Sequence, residues 1–382
     1  MSATPQEIEA GMCNKDISLR LEWAKRRDWI PTPLQIERGL TDKDWEVRAA
    51  WAQRLDFTPT PEQIERGLTD VNADVRVTWT RRMDYTPTPE QIERGLTDDN
   101  ENVRWVWAQR TDITLTPQQI NRGFSDPDSS LKLFWACCLK YTPTSEQIQR
   151  GLTDASYYVR EAWAKRTDYT PTPEQVEAGL TDESFQVRIV WSERMDFTPT
   201  PEQIARGLHD EVWNVREAWA KRMDFTPTPE QINAGVHDDS QWVRLAWARR
   251  MDWTPTKEQV ETGLTDFNGQ VRLAWAERMD YTPTPEQVER GLTDSNAEER
   301  AYWARRMDYT PTPEQIERGI SDDWSMVVVS WLSRTDIVWT DAQIQNGLQS
   351  NEAVVRQAWE QIIQQQRMEY EEYSECLELP SM

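Results

Sequence analysis

The chain has 382 residues, with 43 Lys and Arg against 66 Asp and Glu and a formal net charge of −23. That excess of negative charge argues against nonspecific binding to nucleic acid or to an anionic membrane, and no apolar run is long enough to span a bilayer or to serve as a secretory signal. The apolar fraction of 37 % is low for one compact core, but it suits an array whose units bury their faces only against their neighbours.

Tryptophan marks such an array. Thirteen of them, from Trp23, Trp51 and Trp79 to Trp359, lie 28 residues apart. Thirteen of the 14 glycines, Gly11 to Gly347, keep the same beat, and only Gly269 lies off it. No insertion breaks the period, so the sequence reads as one tandem-repeat solenoid over 1–363, followed by a C-terminal helical cap and acidic tail at 364–382. Repeats start near residues 3, 31, 59, 87, 115, 143, 171, 199, 227, 255, 283, 311 and 339.

The repeat 59–86, PTPEQIERGLTDVNADVRVTWTRRMDYT, defines columns 1 to 28. Column 2 is Thr in all thirteen repeats, and Pro follows in ten. Thr-Pro-Glu-Gln predicts a helix start, with Thr as N-cap, Pro at the first helical position and Gln closing a capping box. Ile64 and Leu68 share one face of this short helix. Gly67 reads as its left-handed C-cap. Column 12 is Asp in eleven repeats and Asn14 or Ser350 in the others, which predicts the N-cap of a second helix. In that helix Val75, Thr78 and Trp79 fall on one apolar stripe. Column 27 (Trp29, Phe57, Tyr85, Ile113) adds to the core, and the Pro-Thr-Pro connector stops the helix. The fold expected is all-α, an α-solenoid of thirteen 28-residue two-helix repeats.

Arg at column 24 and Asp at column 26, as in Arg82 and Asp84, are lost together in repeat 115–142 (Cys138, Lys140) and in the last repeat (Ile362, Gln364). Joint loss implies that the two interact. Arg at column 18 is replaced only by Lys132 and Val328. A structural ion-pair and capping network is the preferred reading of both columns, over a charged binding ladder.

Columns 13 to 16 and 19 vary while the frame stays fixed, and they carry Trp45, Trp105, Tyr157, Tyr158, Phe185, Trp213, Trp242, Phe267 and Trp324. Solenoids bind with variable side chains on a fixed frame, and Trp and Tyr are favoured interface anchors. These nine residues are the candidates for partner binding. The bland alternative is that they cover the ridges between repeats.

Nothing in the sequence points to catalysis. There is no Gly-rich phosphate loop, nucleophile elbow or isolated acid–base pair. His209 and His237 both replace the usual Thr of column 11, and two histidines fall short of the ligands a metal needs. Cys13, Cys137, Cys138 and Cys376 have neither metal nor disulfide-framework spacing, which fits a cytoplasmic setting. No cofactor is expected.

The stretch DVRVTWTRRMDYTPTPEQIERGLTD, with its spaced Val-Arg-x-x-Trp and Thr-Pro…Leu-x-Asp, resembles the leucine-rich repeat variant, from about Thr4 to about Trp359. The resemblance implies a right-handed superhelix of short helices, related in spirit to HEAT-like repeats. The present repeat is a few residues longer than that family's unit, and Trp stands where the family has a smaller apolar residue. The iron–sulfur module of one branch has no matching cysteine cluster here, and the resemblance implies no single activity. The function expected is a non-enzymatic scaffold for a protein partner, with the acidic columns favouring a basic one, and without direct nucleic-acid or membrane binding. The alternative is a DNA mimic that inhibits a DNA-binding or host-defence protein. A net charge near −2 per repeat is sparse beside DNA, which carries one charge per about 1.7 Å.

Overall fold

The computed structural model describes residues 4–138 and 141–377, with side chains to 366. Lys140 and the side chains of the acidic tail lie outside the described residues. Within them the chain is all-helical, and its 26 helices form thirteen helix pairs at the predicted 28-residue period. The chain divides into two compact units, Met1–Gln175 and Val176–Met382. Within each unit, successive second helices pack side by side, and each first helix packs on the second helix of its own repeat.

The first helices begin as the sequence predicts. In Pro61–Leu68, Thr60 is the N-cap, its side chain accepts from the Gln63 N–H, and Gln63 accepts from the Thr60 N–H. The same box recurs from Thr4 to Thr340. The Gln has a second task. Its amide donates to the column 7 Glu of the preceding repeat, as Gln63 does to Glu37 at 3.2 Å and Gln203 to Glu177 at 2.9 Å. One residue therefore caps its own helix and ties it to the helix before.

In eleven of the thirteen repeats the helix runs on past the glycine, and it stops there only at Gly123 and Gly347. No residue among those described has a positive φ, so the expected left-handed cap is absent. Gly67 lies inside the helix, where a Cβ would fall about 2.1 Å from the Trp79 indole nitrogen. The same clash with the column 21 Trp recurs at each of the thirteen periodic glycines. Glycine is required because the indole, not a turn, occupies the space beside its Cα. Burial of the periodic Trp is nearly complete from Trp51 to Trp359. Column 22, just after it, is small in every repeat but the last two, and Ala24, Thr80, Ser192 and Ala276 there are fully buried.

The second N-cap also differs from expectation. The helix Ala73–Thr80 is capped by Asn72, at column 14, which accepts from the N–H groups of Asp74 and Val75. Asp70, two residues earlier, instead accepts the Asn72 N–H at 2.9 Å and shapes the turn that leads into the helix. Its carboxylate is also gripped by both guanidinium branches of Arg48, the column 18 Arg of the preceding repeat, at 2.7 Å each. The constancy of column 12 therefore comes from a bond between repeats. A cap alone would have tolerated Ser or Thr as well.

Candidate partner-binding surface

Most of the frame's charges are consumed in joining repeats. Arg76 donates to the Asp70 carbonyl at 2.9 Å and to both oxygens of Asp98. Burial raises the Asp98 carboxyl, but the Arg76 bond and the Asn100 N–H outweigh it, and its pKa lies below the usual value. The column 24 Arg goes deeper. Arg110 is buried; it reaches back to the carbonyl oxygens of Thr80 and Arg82 at 2.6 and 2.8 Å and forks onto Asp112. The guanidinium lies over the Tyr85 and Trp107 rings. Arg222 repeats this with Ser192, Arg194 and Asp224. Columns 24 and 26 therefore do pair, as their joint loss implied, and the network is structural. A third tier on the surface links Glu37 to Arg66 and Glu261 to Arg290.

Against this neutralised frame the outward apolar side chains stand apart. Trp213 is 37 % exposed, Trp242 46 % and Phe267 79 %; Trp45, Tyr158, Phe185 and Trp324 are exposed too. Tyr157 is half-buried, its ring stacked on Tyr158 at 4.1 Å. Trp105 is half-buried as well and packs on Phe134 at 5.2 Å, so it covers the ridge between two helices. Column 19 is thus closer to core than to surface, as Val77 and Leu245 also show by being buried. Phe267 lies under the Arg244 guanidinium, 4.5 Å from ring centre to carbon.

A row that the sequence reading missed lies at column 25. Met195, Met223, Met251, Met279 and Met307, in five consecutive repeats of the second unit, are all exposed by half or more. Each is flanked by a buried Arg and its paired Asp, which is why a hydrophobic residue at this column points outward. The signal was available in the recurrence of Arg-Met-Asp, but Met inside a repeat motif looks like core. Trp242, Met223 and Leu245 line one groove with Glu217, Lys221 and Arg249. The aromatic and methionine rows therefore meet on one surface at this junction.

His209 and His237 are framework residues. Each ring Nδ1 lies 2.8–2.9 Å from the carbonyl oxygen four residues back, the acceptor that the Thr hydroxyl of column 11 uses elsewhere, as in Thr69 to Glu65. Among the described residues no three His, Cys, Asp or Glu side chains are grouped to hold a metal ion. No helix there is long and apolar enough to cross a membrane.

No family model and no curated protein matches the chain. Among solved structures it is similar to one described as a leucine-rich repeat variant with a novel repetitive protein structural motif. The two share 23 % identity over 64 % of this chain and 85 % of that one, with a TM-score of 0.43. The repeat fold rests on the chain's own geometry, and what it is similar to is a leucine-rich repeat variant.

Proposed function

We propose that the chain is a non-enzymatic scaffold that binds a protein partner through exposed aromatic side chains on and beside its second helices and the methionines just after them. The observation that carries this reading is a contrast: the charged columns are tied up between repeats, while Trp213 and Trp242 and, in register, the methionines of column 25 remain exposed. Such side chains are enriched at interfaces, and Met adapts to irregular partners. Surface acids such as Asp99 and Glu211 stay largely exposed although each pairs with a frame Arg, and they favour a basic partner. The reading places the protein in the cytoplasm, with no cofactor. A DNA mimic gains little support, because the regular carboxylates of columns 7, 12 and 26 are largely matched by Arg.

The test is affinity capture with the full chain and with Trp213→Ser/Trp242→Ser, each repeated at high salt. A partner held by the apolar surface persists at high salt and is lost from the double variant. If every captured protein stays on the variant, the reading fails. Capture that collapses with salt and is competed by duplex DNA would favour the mimic.

A further inference from the structure

At one junction of the first unit the column 24 guanidinium is missing. Repeat 115–142 carries Cys138 there, after the helix Ser129–Cys137. One repeat on, Arg166 shows what the column normally does: it donates to the carbonyl oxygens of Ala136, Cys138 and Tyr141 at 2.9, 3.0 and 3.3 Å. The corresponding acceptors one repeat back are the carbonyls of Ala108, Arg110 and Ile113. Among the described residues no side chain donates to any of them. Those of Ala108 and Arg110 lie at the C-terminal end of the helix Glu101–Gln109, where carbonyls lack intrahelical partners and carry partial negative charge.

The space has not closed. A cavity of about 680 Å³ opens here, lined by Ala108, Arg110 and Ile113 on one side and by Phe134, Trp135 and Tyr141 on the other. That volume lies within the range of ligand sites, as does the mix of apolar walls with a few polar groups. The last repeat makes a useful contrast. Its column 24 residue is Ile362, which packs against the local core. Cys138 is too short for that, and the helices Glu101–Gln109 and Ser129–Cys137 pack more thinly than their neighbours.

From this geometry we infer that the cavity is a docking site for the arginine side chain of a protein partner, whose guanidinium takes the place that the chain's own Arg fills at adjacent junctions. The fork of N–H donors matches the open carbonyls, as the Arg166 guanidinium matches those of Ala136, Cys138 and Tyr141 one repeat on. The apolar walls receive the methylene stem. Column 26 of this repeat is Lys140 instead of Asp, so the carbonyls, without a carboxylate, supply the attraction. Planar N–H geometry then matters more than charge, and arginine is selected over lysine. The site does not depend on the aromatic and methionine rows of the second unit.

The experiment is calorimetric titration of the full chain with acetyl-arginine amide, acetyl-lysine amide and guanidinium chloride at constant ionic strength. Alkylation of Cys138 is followed in parallel by peptide mass spectrometry. The expected result is arginine binding at least roughly tenfold tighter than lysine, with slowed alkylation of Cys138. Cys138→Arg, which restores the internal guanidinium, and Cys138→Ile, which fills the space as Ile362 does, both abolish the signal. Equal binding of arginine and lysine, no binding beyond the salt control, or guanidinium binding without the arginine derivative would each overturn the proposal. The comparison of arginine with lysine needs only the native chain and decides even if a variant does not fold.

Discussion

Two junctions between second helices use the same columns, and one of them lacks the buried guanidinium of column 24. Between Trp213–Lys221 and Gln241–Arg249, Arg250 reaches back to the carbonyls of Ala220, Arg222 and Phe225 at 3.1, 2.6 and 3.1 Å and lies over the Trp247 ring. Between Glu101–Gln109 and Ser129–Cys137, Cys138 stands in that place, and a cavity remains. There the Trp105–Phe134 ring pair supplies much of the contact. The difference shows that the buried guanidinium does two jobs at once. It fills the space between repeats, and it satisfies the carbonyls at the end of the preceding helix. Without it the array stays stacked but is left open at that edge.

The largest expected effect comes from the indole that both junctions share. Trp247→Ala removes a side chain that is 1 % exposed and should cost about 3–5 kcal/mol. Trp135→Ala should cost less, because its surroundings already contain a cavity and can relax into it. Urea midpoints of the two variants make the comparison, and equal losses would mean that the cavity is not softening the first junction. Next is a transplant. Arg250→Cys imposes the first junction's residue on the second and leaves Asp252, whose carboxyl the Arg250 hydrogen bond holds below its usual range, without its partner. Breaking such a pair should cost about 3 kcal/mol. A loss under about 0.5 kcal/mol, the usual range for a surface substitution, would show that the guanidinium is dispensable.

The sequence made the period, the two helices per repeat and the first capping box legible because each depends on local chemistry at fixed spacing. Thr60, Pro61 and Gln63 need only one another. Readings failed where the cause lies elsewhere in the stack. Gly67 looked like a turn because its constraint, Trp79, is twelve residues on and meets it only in the folded repeat. Asp70 looked like a cap because its strongest partner, Arg48, belongs to another repeat. The candidate surface was half legible. Variable columns pointed to Trp213 and Trp242, but constancy hid the exposed methionines, and free variation at column 19 disguised the packing role of Trp105.

A smaller effect concerns the one charged residue in column 17, which is apolar in every other repeat. Glu299 is buried against Arg272 at 3.1 Å. Burial and the nearby Asp294 charge push its pKa up to about 7, against the pull of Arg272. In the folded chain Glu299 thus keeps its proton up to about pH 7, whereas the unfolded chain releases it near the ordinary value of 4.5. Between those values stability falls as pH rises, and the full cost is present above pH 7. Glu299→Val, which restores the column, should remove that slope and raise stability by about 1–3 kcal/mol above pH 7. Thermal melts at pH 5 and pH 8 test this, and a variant whose gain is the same at both would exclude the titration. One carboxylate of the surface tier has the opposite sign. Glu65, held low by its bonds to Arg94 and Gln91, stabilises the fold above its unfolded pKa and loses that contribution as pH falls below it.

The smallest expected change in stability is also the one that bears most on function. Trp213→Ser and Trp242→Ser remove partly exposed side chains from the two helices of the second junction, Trp242 from its groove, yet neither Trp is needed to close the stack there. Arg250, Trp247 and the buried Ala220 and Ala246 do that. Each substitution should therefore shift the urea midpoint by no more than about 0.5 kcal/mol, in contrast to Trp247→Ala one turn away. A protein under pressure only to fold has no reason to keep two partly exposed indoles where Ser costs nothing. If the two substitutions destabilise the chain as a core Trp does, the rows are ridge cover and the scaffold reading loses its main support. If stability is unchanged while partner binding is lost, the frame and the surface are separable, and the variable columns carry the recognition.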